Sequence, residues 1–229
     1  MSYDLFVFGK NHFLYFLISP GHVGIDGLGL GLLGWILFEM SKYLNTRYCL
    51  NVFTKRISNI SILIILMFFG FGIAYFYKGI FEIWLMVVLT LMFLLAFIDY
   101  KILGVPDWMN FALLFCIVLG CIYFGGENIL LFDMFFEGLG LAGLFAILRI
   151  FGDMIYKKEI LGEGDIVFGA SSGLLFGIYN SLIAIFWGCV FASILVLFFK
   201  ILGKNILKIP LITFMFIGLF FCFVMGIIL

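Results

Sequence analysis

Four acidic residues stand in an otherwise apolar chain where they could do acid–base chemistry. Asp99 and Asp107 bracket "DYKILGVPD" (99–107), and Glu163 and Asp165 alternate with glycines in "LGEGD" (161–165). Two carboxylates brought within about 3 Å of each other do not both ionise readily, so such a pair holds one proton. The ionised member can draw a proton from water while the neutral one donates to a carbonyl oxygen. Peptide hydrolysis needs those two roles and no metal. Gly162 and Gly164 would let an extended substrate backbone approach Asp165 without meeting a side chain.

The elements that must position these residues are membrane helices. Of the 229 residues, 66% are hydrophobic and only 11% charged, against roughly half apolar in a soluble domain. The mean hydropathy is +1.29. Apolar runs approach or exceed the roughly 18 residues that cross a bilayer, and none shows the alternation of a barrel strand. The fold class expected is all-α, a polytopic membrane helical bundle of about eight transmembrane helices. The predicted spans are 23–41, 59–77, 81–98, 108–125, 130–151, 166–180, 181–199 and 209–228, forming a single membrane domain over 1–229. The first span is expected to be retained, since Asp4 stands where a signal peptide carries positive charge.

Positive charge sets the orientation. With both termini outside, the inner loops and helix ends hold Lys42, Arg47, Lys55, Arg56, Lys101, Arg149, Lys157, Lys158, Lys200, Lys204 and Lys208, leaving Lys10 and Lys78 outside. The formal net charge is +0, so bulk charge points to the lipid bilayer as the environment and to no nucleic-acid partner. In this topology Asp99, Asp107 and Asp165 lie at one, cytoplasmic, membrane edge. Two readings of Asp165 and Asp107 stand side by side. Each opens a span, where a carboxylate caps free N–H groups and meets the positive end of the helix dipole. Asp99 does not fit that reading, because it closes its span, where the dipole opposes a negative charge.

These residues resemble a known family. "D-x-x-x-x-x-V-P-D" at 99–107 and "G-E-G-D" at 162–165 are similar to the two signatures of type IV prepilin peptidases, which are GxGD-type membrane aspartyl proteases related to archaeal preflagellin peptidases. "GASSGLLFG" (169–177) resembles the small, glycine-containing helix that follows the second motif, and "KIP" (208–210) the inner-loop segment before the final span. The resemblance covers roughly 90–229, an aspartyl protease region, while the spans of 1–90 match poorly. It implies catalytic aspartates at Asp99 and Asp165, with Gly162, Glu163, Gly164, Pro106 and Asp107 as supporting motif residues. It also implies prepilin or pseudopilin precursors as substrates, cut at the cytoplasmic face of the bacterial inner membrane. Proteolysis of this kind takes no cofactor.

The chain departs from the family in two places. Val167 stands where the family usually has Lys. The loop 42–58 holds only Cys49, so the two C-x-x-C pairs of the bifunctional members, and with them a zinc site, are absent. Those members also methylate the new N-terminus with S-adenosylmethionine, a cofactor required here only if that activity is present. Cys49, Cys116, Cys121, Cys189 and Cys222 read as small apolar residues. "GLGLLG" (29–34) and "GLGLAG" (138–143) read as helix-packing surfaces rather than nucleotide sites, since no βαβ unit surrounds them. His12 and His22 form no convincing metal pair. Asp26 and Asp133 fall near the outer edge, where water is close, and Glu137 lies deeper. The competing function classes are a membrane transporter or channel using intramembrane carboxylates, and a silent assembly protein of the same fold. Transport sites favour the bilayer midplane, whereas these aspartates gather at one edge.

Overall fold

A computed structural model of the chain describes residues 80–124, 131–157, 161–203 and 208–225, with isolated helical positions between Gly29 and Ile73. The first two predicted spans, apart from those positions, lie outside the described residues, as do the loop 42–58 with Cys49, His12, His22 and Asp26. The chain forms two compact units, Met1–Leu94 and Leu95–Leu229. Among the described residues six helices are bounded, in order: α1 Ile80–Ile102, α2 Asp107–Phe124, α3 Leu131–Tyr156, α4 Glu163–Phe176, α5 Ile178–Ile201 and α6 Leu211–Val224. No strand occurs among the described residues. α1, α2, α3 and α5 are long and apolar enough to cross a membrane, and the chain is a multi-pass membrane protein of all-helical class.

Each helix ends for a local reason. α1 stops at Leu103, which takes a left-handed φ of 58° and donates its N–H to the Asp99 carbonyl at 2.8 Å. Gly104 and Pro106 then prevent continuation. The Pro106 carbonyl accepts the N–H groups of Met109 and Asn110 and starts α2. The break between α4 and α5 falls at Gly177, with φ +80°, a conformation open to glycine and costly for side chains. The predicted spans 166–180 and 181–199 place this boundary later, at Asn180–Ser181. Those residues are polar because they close the turn from the far side. The Asn180 side-chain amide donates to the Phe176 carbonyl at 3.0 Å, and the Ser181 hydroxyl donates to the Ser172 carbonyl at 2.8 Å. The second bond folds α5 back along α4.

Within the Leu95–Leu229 unit the shortest helices matter most. α4 has 14 residues, about 21 Å at 1.5 Å per residue, which is too short to cross the bilayer alone. It contacts α2, α3, α5 and α6, and Phe168 to Phe176 are buried except for Ala170. Small residues permit this. A Cβ on Gly173 would meet the Glu137 carbonyl at 2.9 Å, and one on Gly169 would meet the Phe145 ring at 3.1 Å. The hydroxyls of Ser171 and Ser172 are satisfied by the carbonyls of Val167 and Gly169. α5 and α6 approach equally closely, since a Cβ on Gly188 would strike the Phe214 carbonyl and one on Gly218 the Ala184 carbonyl. Close backbone approach at small residues is how membrane helices associate without a hydrophobic drive. Glu137 also finds its place here. Its carboxylate lies 3.0 Å from the position of a Cβ on Gly177, beside the start of α5, where the helix dipole favours negative charge.

Gly188→Ala and Gly218→Ala should each destabilise the fold by about 1–3 kcal/mol, the usual cost of overpacking. Gly143→Ala should be neutral or slightly stabilising, because nothing lies within 4 Å of the added methyl. Thermal unfolding of the purified chain in detergent, compared across the three variants, checks the ranking.

Candidate active site

Asp99 sits in the last turn of α1 with only 6% of its surface exposed. A buried carboxylate at a helix C-terminus faces the negative end of its own dipole, so something else must stabilise it. The N-terminal turn of α6 does so. The Thr213 N–H donates to Asp99 Oδ2 at 3.3 Å, the Ile212 N–H also reaches the carboxylate, and the Thr213 hydroxyl gives its proton to the Ala96 carbonyl one turn before it. α6 starts from Pro210 in an extended conformation (φ −73°, ψ 93°), and its free N–H groups point onto the acid. A helix N-terminus is a natural seat for an anion. The "KIP" segment therefore contributes to the site by fixing where α6 begins.

Asp165 is the third residue of α4. Its Oδ2 accepts the Gly162 N–H at 2.9 Å, the returning half of a capping box, since Gly162 has no side chain with which to reciprocate. A Cβ on Gly162 would stand 3.3 Å from that same oxygen. Burial pushes the Asp165 carboxyl up to about 6; the Gly162 N–H opposes that rise and the negative charge of Asp99 adds to it. One side chain thus carries both the cap and the influence of Asp99. It closes its own helix and it feels Asp99.

The glycine loop is held from two further sides. Asn110 on α2, buried at 1% exposure, donates its side-chain amide to the Gly164 carbonyl at 2.7 Å, while its own Oδ1 has no partner among the described residues. A Cβ on Gly164 would touch Asn110 at 3.5 Å, Val105 at 3.8 Å and Ile212 at 3.9 Å. The "GEGD" turn, the loop before α2 and the start of α6 therefore converge. Glu163 points outward, 78% exposed, and pairs with Arg149 of α3 at 3.3 Å; an exposed pair of this kind contributes little to stability. Asp107 is exposed at the first position of α2, the place the capping reading gives it. Pro106 acts through its carbonyl, and Val167 only through the bond to Ser171. Lys101, Arg149, Lys157, Lys200 and Lys208 flank these same helix ends. Among the described residues no three His, Cys, Asp or Glu side chains gather to hold a metal, and Cys116, Cys121, Cys189 and Cys222 form no disulfide there.

Three residues of this site escaped the reading of the sequence: Asn110, Thr213 and Arg149. Asn110 is the one amide in the apolar run 108–125, and Thr213 the one hydroxyl in 211–228. A single polar side chain in an apolar span is the signal that could have found them, because it is costly there unless it has a partner. Arg149 was read as a topological charge and carried no such mark.

Residues 86–197 match the type IV leader peptidase family. No curated protein and no solved structure gives a significant match to the chain.

Because the Asp99 charge contributes to the elevation of Asp165, Asp99→Asn should lower the Asp165 pKa from about 6, without returning it to 3.8, since burial remains. Carbon-13 NMR titration of labelled aspartates, with Asp165→Asn assigning the signal, measures this. The two glycines should also separate. Gly162→Ala crowds the Asp165 carboxylate and should shift that titration. Gly164→Ala makes only ordinary contacts and should leave it in place.

Proposed function

We propose, on the premise that residues 86–197 belong to the type IV leader peptidase family, that this chain is a membrane aspartyl endopeptidase. It removes the leader peptide of type IV prepilins or type II secretion pseudopilins at the cytoplasmic edge of the bacterial inner membrane. One observation carries the reading. Two aspartates from separate helices, Asp99 and Asp165, lie close enough for the charge of one to raise the pKa of the other.

The chemistry follows from a pair that shares one proton. The ionised carboxylate takes a proton from water, and the water oxygen attacks the scissile carbonyl carbon. The protonated carboxyl donates to the carbonyl oxygen, giving a neutral tetrahedral diol. The C–N bond then breaks as a proton passes to the leaving nitrogen, and the pair returns to its singly protonated state. The hydrogen bonds that hold each acid, from the start of α6 and from Gly162, leave the two carboxylates free to flank a substrate carbonyl. Gly162 and Gly164 keep the approach to Asp165 free of side chains. Proteolysis draws on no cofactor. S-adenosylmethionine enters only where the new N-terminus is also methylated, an activity that would belong to the N-terminal spans. A proton or cation path is the weaker reading, because both acids sit at helix ends rather than midway along a span.

Incubation of the purified chain with a pilin-like precursor, followed by mass spectrometry, tests the proposal. Loss of the leader mass is the expected result, and an intact precursor overturns it. Asp99→Asn and Asp165→Asn should each abolish cleavage while the protein still inserts in the membrane, and the double variant should be no worse than either single one. A folded single variant that keeps most activity would remove that residue from the pair. Exhaustive chelation should leave cleavage unchanged. The pH dependence should be bell-shaped, with two apparent pKa values that belong to the pair. Asp165 keeps its proton up to about pH 6, so the alkaline limb of kcat/KM should fall there. The limb of kcat should lie higher, because bound substrate buries the acid further.

A further inference from the structure

We propose that Thr213 is a positioning residue for Asp99, its hydroxyl and its backbone N–H together clasping the acid to the start of α6. The inference rests on the reading of Asp99 as half of the catalytic pair and adds a residue that neither sequence signature contains. The hydroxyl donates to the Ala96 carbonyl at 2.7 Å, one turn before Asp99 on the same helix. The N–H donates to Asp99 Oδ2 at 3.3 Å. Two bonds from one residue thus grip α1 at its backbone and at its acid, and fix the side chain of Asp99 relative to α6.

The direction of the hydroxyl bond separates this from ordinary packing. Hydroxyls in apolar helices usually bond back to a carbonyl three or four residues earlier. Thr90, Ser171, Ser172 and Ser193 do so here. Thr213 stands in the first turn of α6, where the chain four residues earlier is not helical, and it bonds instead across 117 positions of sequence. A valine of the same shape would suit the surrounding "LITFMFIG" at no desolvation cost. The hydroxyl also offers what the backbone N–H cannot. An N–H only donates and so holds the ionised acid. The hydroxyl has given its one proton to the Ala96 carbonyl, so its oxygen remains as an acceptor beside the acid, able to receive the proton of neutral Asp99.

The test compares Thr213→Val, Thr213→Ala and Thr213→Ser in the purified full chain. Val and Ala should lower kcat up to about tenfold, the scale of one lost neutral hydrogen bond, with KM within about twofold. Ser should recover the rate, since it restores the hydroxyl. Amide hydrogen exchange gives a second readout independent of activity. The start of α6 should exchange faster in Val and Ala, and in Asp99→Ala, with protection in α2–α5 retained. An unchanged kcat in Val, a Ser variant as slow as Val, or a rise in KM alone would overturn the proposal. So would loss of protection throughout the chain in both Val and Ala, which would make Thr213 a packing residue. A wild-type chain that cleaves no precursor defeats the proposed function instead. The exchange comparison then decides the clasp: faster exchange confined to the start of α6 upholds it, and unchanged exchange sinks it.

Discussion

A buried carboxylate at the wrong end of its helix is the constraint on which the rest of this unit depends. Asp99 is nearly sealed from solvent in the last turn of α1, where neither water nor its own helix dipole favours its charge. It can remain only if another group of N–H donors is brought to it. The start of α6 supplies them, and that fixes the position of α6 along α1 to within a fraction of a turn. α6 is in turn held by α5 through the contacts at Gly188 and Gly218, where backbones meet with no room for a side chain. A methyl group added far from the acids would therefore act on them through the height at which α6 is held.

Asp165 is held by different means. Its partner is the N–H of Gly162, three residues earlier in its own chain, so its orientation is set locally by the first turn of α4. Its place in the unit is set by the packing of α4 against four other helices and by the bond from Asn110 to the Gly164 carbonyl. The two acids thus have separate clamps, and they communicate through charge. Their separation follows from helix packing.

The legible part of this architecture was the part written in period and charge. Apolar run lengths located α1, α2 and α3 closely, and the spacing of Asp99, Pro106, Asp107 and the "GEGD" residues marked the segments that meet at the site. The turn between α4 and α5 was misplaced because polar residues were read as turn formers. In fact Asn180 and Ser181 lie inside α5 and donate to α4 carbonyls, while the turn itself needs only the left-handed freedom of Gly177. Asn110 and Thr213 were missed for a related reason. Their partners lie 54 and 117 residues away, and a long-range bond leaves no periodic trace. Glu137 looked like an unexplained intramembrane charge until Gly177 was placed beside it, because the favourable dipole belongs to α5 rather than to its own helix.

The capping bond of Asp165 also decides where its carboxylate stands. A helix cap needs a short acid side chain bent back to the chain that enters the helix. That bend brings the carboxylate to the mouth of α4 and keeps it from extending freely into solvent. Burial there raises its pKa towards neutrality, and the negative charge of Asp99 raises it further. A cap on an exposed helix would carry the same hydrogen bond and stay ionised at neutral pH. What distinguishes this one is that α4 is the central helix of its unit, so that Asp165 is drawn in among its neighbours while Glu163, two residues before it, points outward. The same bond that begins the helix therefore holds an acid whose pKa is pushed up to about 6.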